Sequence, residues 1–307
     1  MRLPRREMGD MSSRRIQRKP ISFEESAKHQ WLFRSFDDLL LDLHEWIVRM
    51  PDISAVCGVP RSGVIVASML ATLMNLPIVT VDALQRGDLT WRPSCSKRLS
   101  FQSGKILIVD DTLWSGGTLD EVQKSLPEEI RRNCLFGVAY VNTANRDLVD
   151  TFAFEVTSIK HCFAWNYLRD IHARNVLTDM DGVLCEDWKG DINDGDKENY
   201  IRWLENVTPR IRPIYPVLGI VTGRVASNRT ATENWLQQNF VAYRNLVMPF
   251  PSNASRIGQC VGTRKSQVYL SYPEASLFIE SNFQQAEIIF QQTKRPVLCT
   301  DTLEMFQ

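Results

Sequence analysis

Two α/β units, each built around a parallel sheet, are what this sequence predicts, and two stretches carry the prediction. The first is KILIVDDTLWSGGT, residues 105–118. Residues 106–109 form an unbroken apolar run, which suits a strand buried on both faces. Asp110 and Asp111 stand at its carboxyl end, followed by Ser115, Gly116, Gly117, Thr118 and a helix-like segment. The second is a short strand over residues 175–178 that ends in Asp179-Met180-Asp181-Gly182-Val183-Leu184. Ligands of open α/β sheets bind at the carboxyl ends of strands, so both stretches put acids where a site belongs.

Composition narrows the class. A chain of 307 residues with 44% hydrophobic and 23% charged residues is read as a globular protein of two domains. Lys+Arg and Asp+Glu are equal at 36 each, so net charge gives no reason to expect nucleic acid or a membrane surface as partner. No apolar run is long enough to cross a bilayer, and no secretory signal is recognised. The seven cysteines are scattered without a CxxC pair, which fits the reduced thiols of a cytoplasmic protein better than disulfides or a zinc site.

Residues 1–20 are basic and read as a flexible arm, either a solvated tail or a contact for a polyanion. A polar lead from Ser22 runs into residues 36–50, where Phe36, Leu39, Leu40, Leu43, Trp46, Ile47 and Met50 recur at helical spacing. Residues 53–57 are a brief strand, then Gly58-Val59-Pro60-Arg61-Ser62-Gly63 and an apolar helix over 64–74 make an anion-binding turn. A strand is expected over 78–84. Residues 85–104 follow as a long connection without regular pattern, of the kind that is either disordered or a lid.

Two adjacent carboxylates such as Asp110 and Asp111 can accept hydrogen bonds from the paired hydroxyls of a ribose, and the small residues behind them let backbone N–H groups wrap a phosphate. A helix over 119–126 and strands over 135–142, 152–156 and 159–166 complete the first unit, with residues 170–173 as a linker. In the second unit, apolar strands over 217–221 and 276–279 end in Thr222-Gly223-Arg224 and Glu280-Ser281-Asn282, and Lys265 lies in a polar helix-like segment. Residues 185–216 are too few for a large insertion, and their acids lack the register of a calcium loop. A last helix and strand fill residues 284–300.

The stretch 105–118 resembles the phosphoribosyl-diphosphate (PRPP) motif of type I phosphoribosyltransferases. The resemblance implies that Asp110, Asp111, Thr112, Ser115, Gly116, Gly117 and Thr118 bind PRPP, that Arg61, Ser62 and Gly63 grip its diphosphate with Mg²⁺, and that Lys97, Arg98 or Ser100 sits on a closing loop. Residues 163–166, Phe-Ala-Trp-Asn, are similar to the base-flanking segment of purine-type members, which makes Trp165 either a base-stacking residue or a core tryptophan. The four motifs of the second half resemble those of haloacid dehalogenase-like phosphatases with a minimal cap. That implies Asp179 as nucleophile, Asp181 as general acid/base, Thr222 as phosphoryl contact, Lys265 as stabilising cation, and Asp179, Asp181 and Glu280 at Mg²⁺. Ser281 departs from the commoner paired acids, and Arg224 is either a phosphate contact or a solvated end.

The expected whole is a basic arm (1–20), a phosphoribosyltransferase-like domain (21–170) and a phosphatase-like domain (171–307). It would act as a bifunctional, homodimeric enzyme of nucleotide metabolism on PRPP, a base and a phosphomonoester. A PRPP-sensing module that regulates the phosphatase, or a nucleic-acid end phosphatase tethered by the arm, are the alternatives.

Overall fold

A computed structural model of the chain describes residues 31–87, 104–113, 116–157, 160–188, 190, 197–252 and 260–307. The basic arm, Ser115, and Lys97, Arg98 and Ser100 of the expected closing loop lie outside the described residues.

The apolar run at 106–109 belongs to β4 (Lys105–Leu113), the middle strand of a parallel sheet. Its neighbours are β2 (Ile53–Gly58) and β5 (Cys134–Asn142), with β3 (Ile78–Val79) and β6 (Thr151–Val156) at the edges, in the order β3-β2-β4-β5-β6. Side chains alternate across the pleat. Leu107 and Val109 enter the core under α1 (Phe36–Arg49) and α2 (Gly63–Met74), with Leu39, Trp46, Val66 and Leu70. Ile106 and Ile108 enter the opposite core with Leu119 of α4 (Gly117–Ser125) and Ile130 of α5 (Glu128–Arg131). Burial on both faces is why this strand reads as a continuous apolar run. Helix α1 starts where Ser35 accepts the Asp38 N–H and Asp38 reaches back to the Ser35 backbone.

The second large sheet has the order β10-β9-β8-β11-β12-β13. Its strands are β8 (Val176–Thr178), β9 (Val217–Val221), β10 (Tyr243–Val247), β11 (Leu277–Glu280), β12 (Val297–Cys299) and β13 (Glu304–Phe306). Helices α6 (Lys197–Asn206), α7 (Arg229–Gln238), α8 (Val261–Leu270) and α9 (Phe283–Thr293) complete it. In each sheet the strand order reverses beside a motif strand: between β2 and β4 in the first, between β8 and β11 in the second. Such switch points open a crevice at the strand ends, and the predicted acids stand there.

The structure corrects four expectations. The second sheet is mixed, because β13 runs antiparallel to β12. The strand expected over 78–84 stops at Val79, because Thr80 accepts the Ala83 N–H and caps a short helix α3 (Val81–Gln85). The polar lead contains a strand, β1 (Trp31–Arg34), which pairs in parallel with β7 (Lys160–Phe163). Finally, the strand expected over 159–166 ends at Phe163, whose carbonyl accepts the Asn166 and Tyr167 N–H groups in a turn.

That β1–β7 pair faces both ways. Trp31, Phe33 and Cys162 pack into the core of the second sheet with Leu168, Val176 and Ile279, whereas Leu32 and Phe163 pack into that of the first. Arg34 closes the pair with a buried cation. Its Nε donates to Asp42 Oδ2 at 2.9 Å, and the Tyr140 hydroxyl donates to the same oxygen at 2.8 Å. Both ions are almost wholly buried, at 2% and 4% exposure, so removing one leaves a charge stranded. Arg34→Met is expected to cost about 3–5 kcal/mol in urea unfolding, and Arg34→Met with Asp42→Leu to recover most of that loss. A cost below about 1 kcal/mol for the single variant contradicts the argument.

Candidate functional site

The first acidic cluster is assembled from three segments. Leaving β2, the Val59 N–H bonds the Val109 carbonyl at 2.9 Å and lays the loop 58–63 against β4. Gly63 opens α2 so close to the acids that a Cβ there would stand 2.5 Å from the Val109 oxygen and 2.8 Å from the Asp110 Cα. Only glycine permits this approach. Ser62 is half-buried beside it, and Arg61 is exposed on the loop. Gly116 caps α4 in the left-handed region (φ 79°), with Gly117 and Thr118 exposed after it. Gly63, at the end of the 58–63 loop, therefore stands directly against Asp110 at the carboxyl end of β4.

The Asp110 carboxyl accepts the Asp111 N–H at 2.8 Å. Burial and the charge of Asp111 push it up to about 7, against backbone hydrogen bonds from Asp111 and Gly63. Asp111 is 8% exposed. Its Oδ2 accepts the Trp165 indole N–H at 3.4 Å, and the Thr112 hydroxyl stands 3.3 Å from Oδ1. Trp165 stacks on Phe163 at 4.6 Å between ring centres and leans on Phe36. The tryptophan thus does two things: it packs on the core and it touches an acid of the crevice.

The second cluster lies where β8 meets β11. Lys265, on α8, is 1% exposed and donates to Asp179 Oδ2 and Glu280 Oε2, each at 2.6 Å. The other Glu280 oxygen accepts the backbone N–H groups of Ser281 and Asn282 at 3.0 and 3.1 Å. Asp179 Oδ1 accepts the Met180 N–H at 2.8 Å. Burial and Glu280 raise the Asp179 carboxyl well above its usual range, since one ammonium cannot offset two buried carboxylates. Burial opposes the charge on Lys265, yet Asp179 and Glu280 together hold it protonated.

Asp181 is held differently. Arg224 Nε lies 3.0 Å from both of its oxygens and Nη2 2.6 Å from Oδ1. Sequence reasoning left Arg224 open between a phosphate contact and a solvated end. It is 1% exposed and clamps the acid, a role no local pattern reveals because its partner is 43 residues away. The buried Thr222 hydroxyl oxygen accepts the Arg224 N–H at 3.1 Å and fixes the turn that aims it. Ser281 also has a task that the sequence reading missed: its hydroxyl donates to the Asp181 carbonyl at 3.2 Å. That contact needs Gly182, whose φ is 80° and whose Cβ would fall 2.1 Å from the Ser281 oxygen. A cavity of about 160 Å³ opens over the cluster, lined by Asp179, Asp181, Trp188, Tyr200, Arg224, Lys265 and further residues.

Among the described residues, no three His, Cys, Asp or Glu side chains converge to hold a metal. All three carboxylates are engaged, Asp181 by Arg224 and Asp179 and Glu280 by Lys265 and backbone N–H groups, so a metal would be held through their remaining lone pairs. Three carboxylates there face two cations. The surplus negative charge and the oxygen donors fit Mg²⁺ at Asp179 and Glu280.

Because like charge helps raise the Asp110 carboxyl, Asp111→Asn should bring its titration down from about 7 toward the ordinary carboxylate range. Carbon-13 NMR of the Asp carboxyl groups in both proteins checks this. An unmoved midpoint would make burial the sole cause.

No protein-family model matches the chain. Over 105 residues, 33% of its length, it is 30% identical to a xanthine-guanine phosphoribosyltransferase of Nitratidesulfovibrio vulgaris (strain DP4), and it spans 61% of that relative. Among solved structures it is similar to the Helicobacter pylori xanthine-guanine-hypoxanthine phosphoribosyltransferase, with 17% identity and a TM-score of 0.34 over 45% of this chain and 93% of that one. It is also similar to a chain of a Pnkp1/Rnl/Hen1 RNA repair complex, with 13% identity and a TM-score of 0.32 over 88% of this chain and 87% of that one. At such identities and TM-scores the two superpositions carry no weight for activity.

Proposed function

We propose that the chain is a bifunctional enzyme: a purine-type phosphoribosyltransferase in its first half and a phosphomonoesterase in its second. The observation that carries the reading is the placement of two acid clusters at the switch points of two separate sheets in one chain. The identity to a xanthine-guanine phosphoribosyltransferase supports the first half.

In the first site Asp110 and Asp111 accept the ribose hydroxyls of PRPP, while the 58–63 loop and the amides at the start of α4 take its phosphates. Arg61 offers the leaving diphosphate a fixed charge. The crevice binds best with both acids ionised. Asp110 is protonated below about pH 7, so affinity for PRPP rises as pH passes upward through that value.

In the second site an Asp179 oxygen attacks phosphorus, the ester P–O bond breaks, and the leaving oxygen takes a proton from Asp181. Water then attacks the phosphoaspartate, Asp181 accepts its proton, and phosphate leaves. The Arg224 clamp fixes the Asp181 carboxyl at the cavity, where it faces both the leaving and the attacking oxygen. Lys265 keeps Asp179 and Glu280 from repelling each other and the incoming phosphoryl group. Asp179 and Glu280 would hold Mg²⁺, which would supply the remaining positive charge.

A chromatographic time course with PRPP, Mg²⁺ and hypoxanthine, xanthine or guanine tests the whole. The wild-type protein should release diphosphate and accumulate the nucleoside. Asp179→Asn should stop at the nucleotide, with phosphate release down at least about 10³-fold. The Asp110→Asn/Asp111→Asn variant should make neither. No diphosphate from any purine removes the transferase reading. The same nucleotide from wild type and Asp179→Asn shows that the second site serves another substrate.

A further inference from the structure

The insertion between β8 and β9 brings three aromatic rings to the mouth of the second site. Trp188 meets Tyr200 edge-on at 5.4 Å and Trp203 at 5.3 Å, and Tyr200 stacks on Trp203 at 5.8 Å. Trp188 and Tyr200 line the same cavity as Asp179, Asp181, Arg224 and Lys265. The third ring is tied to the acid cluster from behind: the Arg224 guanidinium that clamps Asp181 lies 5.3 Å from the Trp203 ring centre. A single buried cation therefore sets the spacing between the carboxylates and the aromatic wall.

One further detail points to a ligand. The Trp188 indole nitrogen is shielded from solvent and has no hydrogen-bond partner among the described residues. An N–H in that position usually finds an acceptor, because leaving it unpaired costs free energy.

From this juxtaposition we infer that the second site selects phosphomonoesters carrying a nucleobase. The inference rests on the phosphomonoesterase reading above. The phosphate enters between Asp179, Lys265 and Arg224, and the heterocycle lies on Trp188 and Tyr200. A free mononucleotide would seat its phosphate in the cavity of about 160 Å³ and lay its base on the aromatic wall at the mouth. The phosphorylated end of a strand shares the same chemistry. Trp188 and Tyr200 are specificity-determining residues, since every base offers a π-face and an alkyl phosphate offers none.

The test compares kcat/KM for AMP with that for ribose 5-phosphate, which has the sugar and phosphate but no base. The wild-type protein should prefer AMP by tenfold or more. Trp188→Ala should lower that preference about tenfold, the size of one lost stacking contact, and Trp188→Phe should keep most of it. Thermal melts confirm that both variants fold. A wild-type ratio near one, or a ratio unmoved by Trp188→Ala, makes the cluster a structural closure and overturns the inference.

If the wild-type protein releases phosphate from neither compound, the phosphomonoesterase reading fails. Calorimetric binding of the two compounds to Asp179→Asn then judges the wall by itself: tighter binding of AMP supports it, equal binding overturns it. A 5′-phosphorylated oligonucleotide in the same assay separates the two sources. A higher kcat/KM than AMP identifies a strand end, a lower one the free nucleotide, and either supports a base beside its phosphate.

Discussion

The second half of the molecule depends on one ammonium group. Asp179 and Glu280 end neighbouring parallel strands, so sheet geometry drives two carboxylates together in a place that water barely reaches. Unpaired, they would not both ionise. Lys265 makes the arrangement tolerable by standing 2.6 Å from each. Its position requires α8 to lie firmly beneath the strand ends. Tyr269, one turn on, donates to the Pro296 carbonyl at 3.0 Å, and Arg295 stacks over its ring at 4.0 Å. Gly262 lets α9 approach, since a Cβ there would meet Ile288 at 3.1 Å. The helix is thus positioned by packing, and the packing serves the charge.

A second constraint joins the two sheets. The β1–β7 ribbon sends alternate side chains into two different cores, so neither core is complete without it. The Gln307 side chain holds the ribbon's outer edge, accepting the Trp31 N–H at 3.0 Å and donating to the Trp31 carbonyl at 2.8 Å. The Trp31 indole donates to the Ser276 carbonyl at 3.1 Å, just before β11. The same ribbon ends at Phe163, on which Trp165 stacks while touching Asp111. Packed elements of this kind run from one acid cluster to the other. A path of contacts is not a coupling energy, but it is the route along which one would be carried.

The two clusters handle surplus negative charge by different means. Asp179, Asp181 and Glu280 are met by fixed cations on a helix and a turn. Among the described residues, the donors to Asp110 and Asp111 are neutral (backbone amides, the Thr112 hydroxyl and an indole N–H), and the Asp110 carboxyl rises to about 7. Neutral donors stabilise a carboxylate less than an ammonium does. The Asp110 carboxyl therefore changes charge near neutral pH.

Local pattern alone determined much of this protein. The apolar run of β4, the strand before Asp179, the helix from Phe36 and the acids at strand ends are all properties of short stretches, where burial on both faces or on one stripe leaves a direct mark in the residue order. What it left unread has a common cause. Strand β1 has four residues and no alternation because each of its faces meets a core, so nothing in residues 31–34 distinguishes it from a loop with large side chains. The run at 78–84 has strand-like composition throughout, and a single Thr80 cap turned its second half into a helix. Arg224 stayed open between a phosphate contact and a solvated end until the fold brought Asp181 to it across 43 positions, and Trp188 gained its place beside the acids through the fold as well. Periodicity records which residues are buried; which charged or aromatic groups meet is decided by strand order and helix packing, and only the tertiary structure holds that information.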